Sequence, residues 1–356
     1  MDKTIIIGGG FSALIAKLLL GTRPHLILSA ISRPNSDTEK LVQRPSLELN
    51  KWLSSTKAPS LGSLQSQLAK GVLHDRLIHG GNSQIWGGFC NANLLGSALQ
   101  EVLRKNQIYL EPLSFTKTGS LSNDSGIAQL TDQSGRILNA AHLLGHDVQD
   151  GYATQLMSSN PDSMTVALNS LNGNTSTLSS QSVILAVGTV QLIDLLYRSN
   201  IIQPGDELTL TEFEHRMSIL ATTKPKQFST QQCVIRYQLT RALYHALGIQ
   251  KIPSWLNRLP IPLYVDQCFD TRTQELRFQI QDGSLVKIAS SQSHEHPFGG
   301  SIHYCNLRVN GVDVNTLLRN FSPRLIALGM PALKQGAPGP ISNDIMNDAA
   351  IKIQSL

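Results

Sequence analysis

The feature that most constrains this chain is a strand, a glycine turn, a helix and a second strand set within its first 29 residues. Thr4-Ile5-Ile6-Ile7 is a β-branched run and reads as a buried strand. Three glycines follow, Gly8-Gly9-Gly10, and then Ala13-Leu14-Ile15-Ala16-Lys17-Leu18-Leu19-Leu20 reads as a helix ending near Gly21. His25-Leu26-Ile27-Leu28-Ser29 reads as the next strand. Two strands joined so tightly through a helix form a βαβ unit, with parallel strands and a right-handed crossover. Parallel strands need cover on both faces, so the expected class is α/β.

The turn itself has the spacing G-x-G-x-x-A, from Gly8 through Gly10, Phe11 and Ser12 to Ala13. In a dinucleotide-binding fold the first glycine makes the tight turn and the second lets the main chain approach a pyrophosphate. The last position stays small so that helix and strand can touch. The helix N-terminus then faces the phosphates with its amides and the positive end of its dipole. The competing explanation is a glycine turn in a protein that holds no cofactor. About twenty residues further on, such folds carry an Asp or Glu for the adenosine ribose. Here that position falls on Ser29 or Ala30, with Ser32 and Arg33 just after. Ser29 retains one hydroxyl for the ribose, and Arg33 leaves open a 2′-phosphate instead.

Composition narrows the function. At 356 residues the chain can hold two domains or one large α/β unit, and 41% hydrophobic content supports a sizeable core. No eighteen-residue apolar run is present, which argues against a membrane span. Met1-Asp2-Lys3 leads straight into the first strand without the profile of a secretory leader, so the expected location is the cytoplasm. Cys90, Cys233, Cys268 and Cys305 are far apart and read as reduced thiols. The formal charge of +5 comes from scattered basic residues, with 5% aromatics, so nucleic acid is not an expected partner; a small-molecule substrate is. A mild positive excess also suits an anionic dinucleotide.

Beyond the first unit, residues 32–75 are polar and broken by Pro34, Pro45 and Pro59, and read as loop with one or two helices. Short alternating runs between 107 and 181, with turn signals at Asp150-Gly151 and Asn172-Gly173, predict a β-rich insertion. Residues 181–188 predict another buried strand and 190–199 a helix. Residues 206–290 read as strands with a helix around 230–247, and 341–353 as a closing helix.

Four further segments carry chemistry. Gly80-Gly81-Asn82-Ser83-Gln84-Ile85-Trp86-Gly87-Gly88-Phe89-Cys90-Asn91 flanks a polar-aromatic stretch with glycine pairs, so backbone approaches something closely twice. Ser182-Val183-Ile184-Leu185-Ala186-Val187-Gly188 is an apolar strand ending in glycine. Ser293-His294-Glu295-His296-Pro297-Phe298-Gly299-Gly300 gathers two histidines, with His303 nearby, but without a carboxylate or Cys at ligand spacing, so no metal is expected. The last is Asn310-Gly311-Val312, Arg319-Asn320-Phe321 and Gly336-Ala337-Pro338, followed by Ser342-Asn343-Asp344.

In this order the segments resemble the glucose-methanol-choline (GMC) oxidoreductase family, in a shortened and divergent form. The resemblance implies a Rossmann-like FAD-binding domain over 1–31, 76–110, 140–205 and 294–356. A smaller β-sheet-based substrate domain would take 32–75, 111–139 and 206–293. It implies that Gly80, Gly81, Asn82, Ser83, Trp86, Gly87, Gly88 and Asn91 line FAD, that Gly188 faces the dinucleotide, and that Ser342 belongs to the same site. Asn320 stands where the family has an Asp near the FAD phosphates. His296 matches the base over the flavin, and imidazole, with a pKa of about 6.5, suits taking an alcohol proton. Ala337 replaces the family's second catalytic residue, which leaves Asn343 or Ser342 to take over. The implied activity is oxidation of a small-molecule alcohol or related substrate by hydride transfer to flavin, in small-molecule or secondary metabolism. Two alternatives stay open: lyase or isomerase chemistry on the same cofactor, and a flavin-free binding protein on the same fold.

Overall fold

The computed structural model describes residues 3–29, 88–112, 127–145, 148–160, 163–170, 173–222, 233–238, 264–281, 283–290, 300–334, 342–354 and 356. The chain opens with β1 (Thr4–Ile7), α1 (Phe11–Leu20) and β2 (His25–Ser29). Next come β3 (Phe89–Asn91), α2 (Ser97–Lys105), β4 (Tyr109–Pro112), β5 (Ile127–Thr131) and α3 (Ala140–Leu144). A third group is β6 (Val148–Asp150), β7 (Tyr152–Asn160), β8 (Ser163–Asn169), β9 (Thr175–Ser180), β10 (Ser182–Leu185) and α4 (Thr189–Arg198). The long strands follow as β11 (Glu207–Thr222), β12 (Cys233–Gln238), β13 (Tyr264–Gln281), β14 (Ser284–Ser290), β15 (Gly300–Val309) and β16 (Val312–Asp313). The order closes with α5 (Val314–Phe321), β17 (Leu325–Ala327) and α6 (Ser342–Gln354).

Five strands form one parallel sheet in the order β17-β10-β1-β2-β6. Their side chains alternate strictly between two buried clusters. Ile5, Ile7, Leu28, Val183, Leu185, Leu325 and Ala327 face α4, α5 and the three-stranded β7-β8-β9 sheet. Ile6, Ile27, Ile184 and Ile326 face α1, α2, α3 and α6. With both faces covered, the apolar runs of β1, β2, β10 and β17 are nearly unbroken, whereas β6, at the sheet edge, is the polar Val148-Gln149-Asp150. Burying one such Ile is worth roughly 1.5–3 kcal/mol. These strands are what hold the edge described below in place.

The antiparallel sheet runs β12-β13-β11-β15-β16, with β14 added on β13. It corrects one expectation. The helix predicted around 230–247 contains β12, which pairs with β13 from Cys233↔Phe269 to Gln238↔Tyr264. Val234, Ile235 and Tyr237 are strand formers, and a neighbouring strand was there to pair with. Residues 230–232 and 239–247 lie outside the described residues.

The expected division into two domains meets a shared core. Ala128, Leu130 and Leu138, assigned to the substrate domain, belong to the same buried cluster as Leu14 and Ile15 of α1. Leu208, Leu210, Leu276 and Phe278 likewise share a cluster with Ile5 and Ile7. Among the described residues, no helix is long and apolar enough to cross a membrane.

Candidate functional site

The registers of the parallel sheet align the carboxyl ends of its strands. Ile7 pairs with both Leu28 and Leu185, Leu185 pairs with Ala327, and Ser29 with Asp150. From β1 the chain moves to β2 on one side and later returns through β10 on the other side. A crevice outside the strand ends at such a switch point is where open α/β sheets bind ligands.

Three segments converge there on the start of α1. The amide of Gly8 donates to Leu28 O at 2.8 Å, that of Ala186 to Ile7 O at 2.8 Å, and that of Leu328 to Leu185 O at 2.9 Å. Gly8 has φ +125°, and a Cβ on it would lie 2.3 Å from Ala186 O. Only glycine fits. Gly329, at φ +81°, would place a Cβ 2.4 Å from Ser12 Oγ. Sequence reasoning missed Gly329. Its signal was present: Leu325-Ile326-Ala327-Leu328-Gly329 repeats the pattern of an apolar strand closed by glycine seen at residues 5–8 and 183–188.

α1 begins at Gly10, its extended N-cap, with no side-chain cap and no acidic residue in its first turn. A helix start built this way directs main-chain amides and the positive end of the dipole at whatever sits before it, and suits an anion. Ala13 is fully buried and Phe11 nearly so, which explains the need for a small residue at the former. Gly188 starts α4 at the same edge, also without a side-chain cap, at an ordinary φ of −68°. The next residue ties that helix to β15 through Thr189 Oγ1, which donates to Tyr304 O at 2.6 Å. Ser29 is buried at the end of β2.

Of the glycine-rich segment expected against the flavin, Gly80, Gly81, Asn82, Ser83, Trp86 and Gly87 lie outside the described residues. Gly88 is described, and the protein itself accounts for it. Its φ is +65°, its carbonyl accepts from Leu130 N at 2.7 Å, and a Cβ would sit 2.8 Å from Ile137 Cγ2. Asn91 uses its side chain to cap the short turn Ala92–Leu94, accepting from Asn93 N at 3.0 Å.

Asn343 and Ser342, from the other end of the chain, meet this segment. Asn343 Oδ1 accepts from Asn91 N at 2.7 Å, and its Nδ2 donates to Asn91 O at 2.8 Å. Ser342 Oγ donates to Phe89 O. Both residues are almost fully buried. Asn343 was expected as a catalytic group gripping substrate; with both ends of its amide engaged by main chain, it acts as a clamp on residues 89–91 instead. The far half of α6 holds the segment beyond Gly329, where Lys352 Nζ donates to Ala332 O at 3.2 Å and pairs with Asp348 at 2.7 Å.

Asn320 is a second correction. Asn315, near the start of α5, accepts from Ala327 N at 2.7 Å and donates to Ala327 O at 3.2 Å, so α5 runs antiparallel to β17. Asn320 therefore stands exposed near the opposite edge of the sheet, where Arg324 O accepts from Val183 N at 3.0 Å, away from any phosphate at Gly8–Ser12. The resemblance had put it near the FAD phosphates.

His296 lies outside the described residues, as does His294. Cys90 and Cys305 are buried free thiols that burial pushes up to about 12, so neither is a nucleophile at neutral pH.

No family model matches the chain, that of the GMC family included. No curated protein matches it either. Among solved structures it is similar to CabE, an aromatic hydroxylase from angucycline biosynthesis, at TM-score 0.37 and 11% identity, over 99% of this chain and 63% of that one. The rebeccamycin biosynthetic enzyme RebC with reduced flavin is similar at TM-score 0.39 and 12% identity, over 99% of this chain and 61% of that one. The p-nitrophenol 4-monooxygenase PnpA from Pseudomonas putida DLL-E4 is similar at 0.35 and 10%, over 99% and 78%. The chain thus spans less than two thirds of the length of CabE and of RebC. Likeness this distant assigns neither family nor activity, and the case for a ligand rests on the edge formed by Gly8, Gly10, Ser12 and Gly329.

Proposed function

We propose that the chain is an FAD-dependent oxidoreductase acting on a small molecule, with the parallel sheet as a Rossmann-like FAD-binding core. One observation carries the reading: an uncapped helix begins at a glycine turn on the switch point of the sheet, where Gly8 and Gly329 bring three segments too close for any side chain. The donor set fits a pyrophosphate, which asks for main-chain amides and a helix dipole rather than for side chains. Gly8, Gly10 and the amides of Phe11 and Ser12 would hold it, and Gly188 would border it. The segment Gly80–Gly87, with Trp86, leads into β3 and would cover the isoalloxazine. Bound there, FAD would supply a two-electron acceptor for hydride.

The finer reading is alcohol oxidation of GMC type. In it His296 would take the hydroxyl proton of the alcohol, and FAD would supply the acceptor for the hydride of the adjoining carbon. A second reading is favoured by Asn343, whose amide is fully engaged, and by Ala337: without a second polar group on the substrate oxygen, flavin-dependent lyase or isomerase chemistry becomes the alternative.

The test is the spectrum of the purified protein under anaerobic addition of small alcohols. A flavin spectrum is expected, bleaching in the wild type and about 10²-fold more slowly in His296→Ala with the flavin still bound. A protein that binds no FAD overturns the proposal; a flavin that no alcohol bleaches transfers it to the second reading.

A further inference from the structure

Dinucleotide folds end their second strand in a carboxylate that holds the adenosine ribose, and β2 ends in Ser29. One hydroxyl does not replace the several acceptor positions of a carboxylate. The sheet offers one a strand away. β6 pairs with β2 in parallel, through Ile27↔Val148, Leu28↔Gln149 and Ser29↔Asp150. In-register residues on neighbouring strands lie about 4.8 Å apart and carry their side chains on the same face. The pairing continues to the rim, where Gly151 N donates to Ser29 O at 3.1 Å, so Asp150 is fixed beside Ser29 at the carboxyl edge. Asp150 is half-buried, and no other residue of the five parallel strands is acidic.

We infer that Asp150 receives the adenosine ribose hydroxyls, with Ser29 as its neighbour, in place of the acid missing from β2. The inference rests on the dinucleotide reading above and adds a selectivity to it. A carboxylate at this point repels a 2′-phosphate, so the site takes the unphosphorylated ribose and the alternative raised by Arg33 falls away.

The experiment is binding, not turnover. Protein stripped of any cofactor is titrated with FAD by flavin fluorescence, and ADP and 2′-deoxy-ADP are compared as competitors. Wild type is expected to prefer ADP by roughly tenfold or more, the worth of a hydrogen bond to a charged group, and Asp150→Ala to lose most of that preference. If Asp150→Ala does not fold, the isosteric Asp150→Asn is read in its place, with a smaller loss expected. A wild type that binds FAD without preferring ADP, or a variant that keeps the full preference, overturns the assignment and leaves the cofactor reading standing. A wild type that binds neither FAD nor ADP overturns both.

Discussion

Two turns leave the same edge of the parallel sheet, and each begins a ten-residue helix whose N-cap is glycine. At β1–α1, Gly8 is in the left-handed half of conformational space and pressed on Ala186 O, while Gly329 is pressed on Ser12. At β10–α4, Gly188 is in an ordinary conformation that any residue can adopt, and Thr189 is fastened to β15 by its hydroxyl. A glycine demanded by geometry marks where main chain must come close. A glycine merely present does not. The comparison explains why the anion site is assigned to the first helix.

The sharpest way to break the comparison is Gly8→Ala. Its Cβ meets backbone, which cannot move aside, and the residue would also be held in a strained conformation. A loss of about 4 kcal/mol or more is expected in denaturant unfolding, at the exceptional end for a single substitution. Gly329→Ala should cost less, about 1–3 kcal/mol, because the atom it meets is the tip of the Ser12 side chain. Adding Ser12→Gly should recover the steric share and leave only the backbone strain. Gly188→Ala should change stability by no more than about 1 kcal/mol, the range of a lost N-cap preference. If Gly188→Ala proved as damaging as Gly8→Ala, the two turns would be equivalent and the assignment to α1 would lose its basis.

What the sequence made legible follows the same physics. Ile5-Ile6-Ile7 and residues 183–185, buried on both faces, and the helix from Ala13, buried along one, are local and strongly patterned, so their pattern is their structure. Gly329 carried the same pattern, but only its contact with Ser12 gives it meaning, and that contact joins distant parts of the chain. The Asn343–Asn91 clamp spans 252 residues and has no local signature at all. Asn320 shows a different limit: the family resemblance put it near the FAD phosphates, but only the pairing of α5 with β17 shows which edge of the sheet it stands at. β12 was misread because its helical propensity was judged without the partner strand that decides it. The shared core over the expected domain boundary was hidden for the same reason, since packing between elements leaves no trace in either segment alone.

The clamp also sets an order of events during synthesis. Residues 89–91 leave the ribosome about 250 positions ahead of the helix that bonds their main chain on both sides. Until α6 emerges, the amide and carbonyl of Asn91 must be satisfied by water, and Phe89 O lacks its hydroxyl donor. The segment following Gly329 waits for Lys352 in the same way. β1, α1 and β2 can pair early, while the approach to their carboxyl edge stays open. Contacts this distant in sequence form slowly, so the growing chain carries a partly built carboxyl edge for most of its translation.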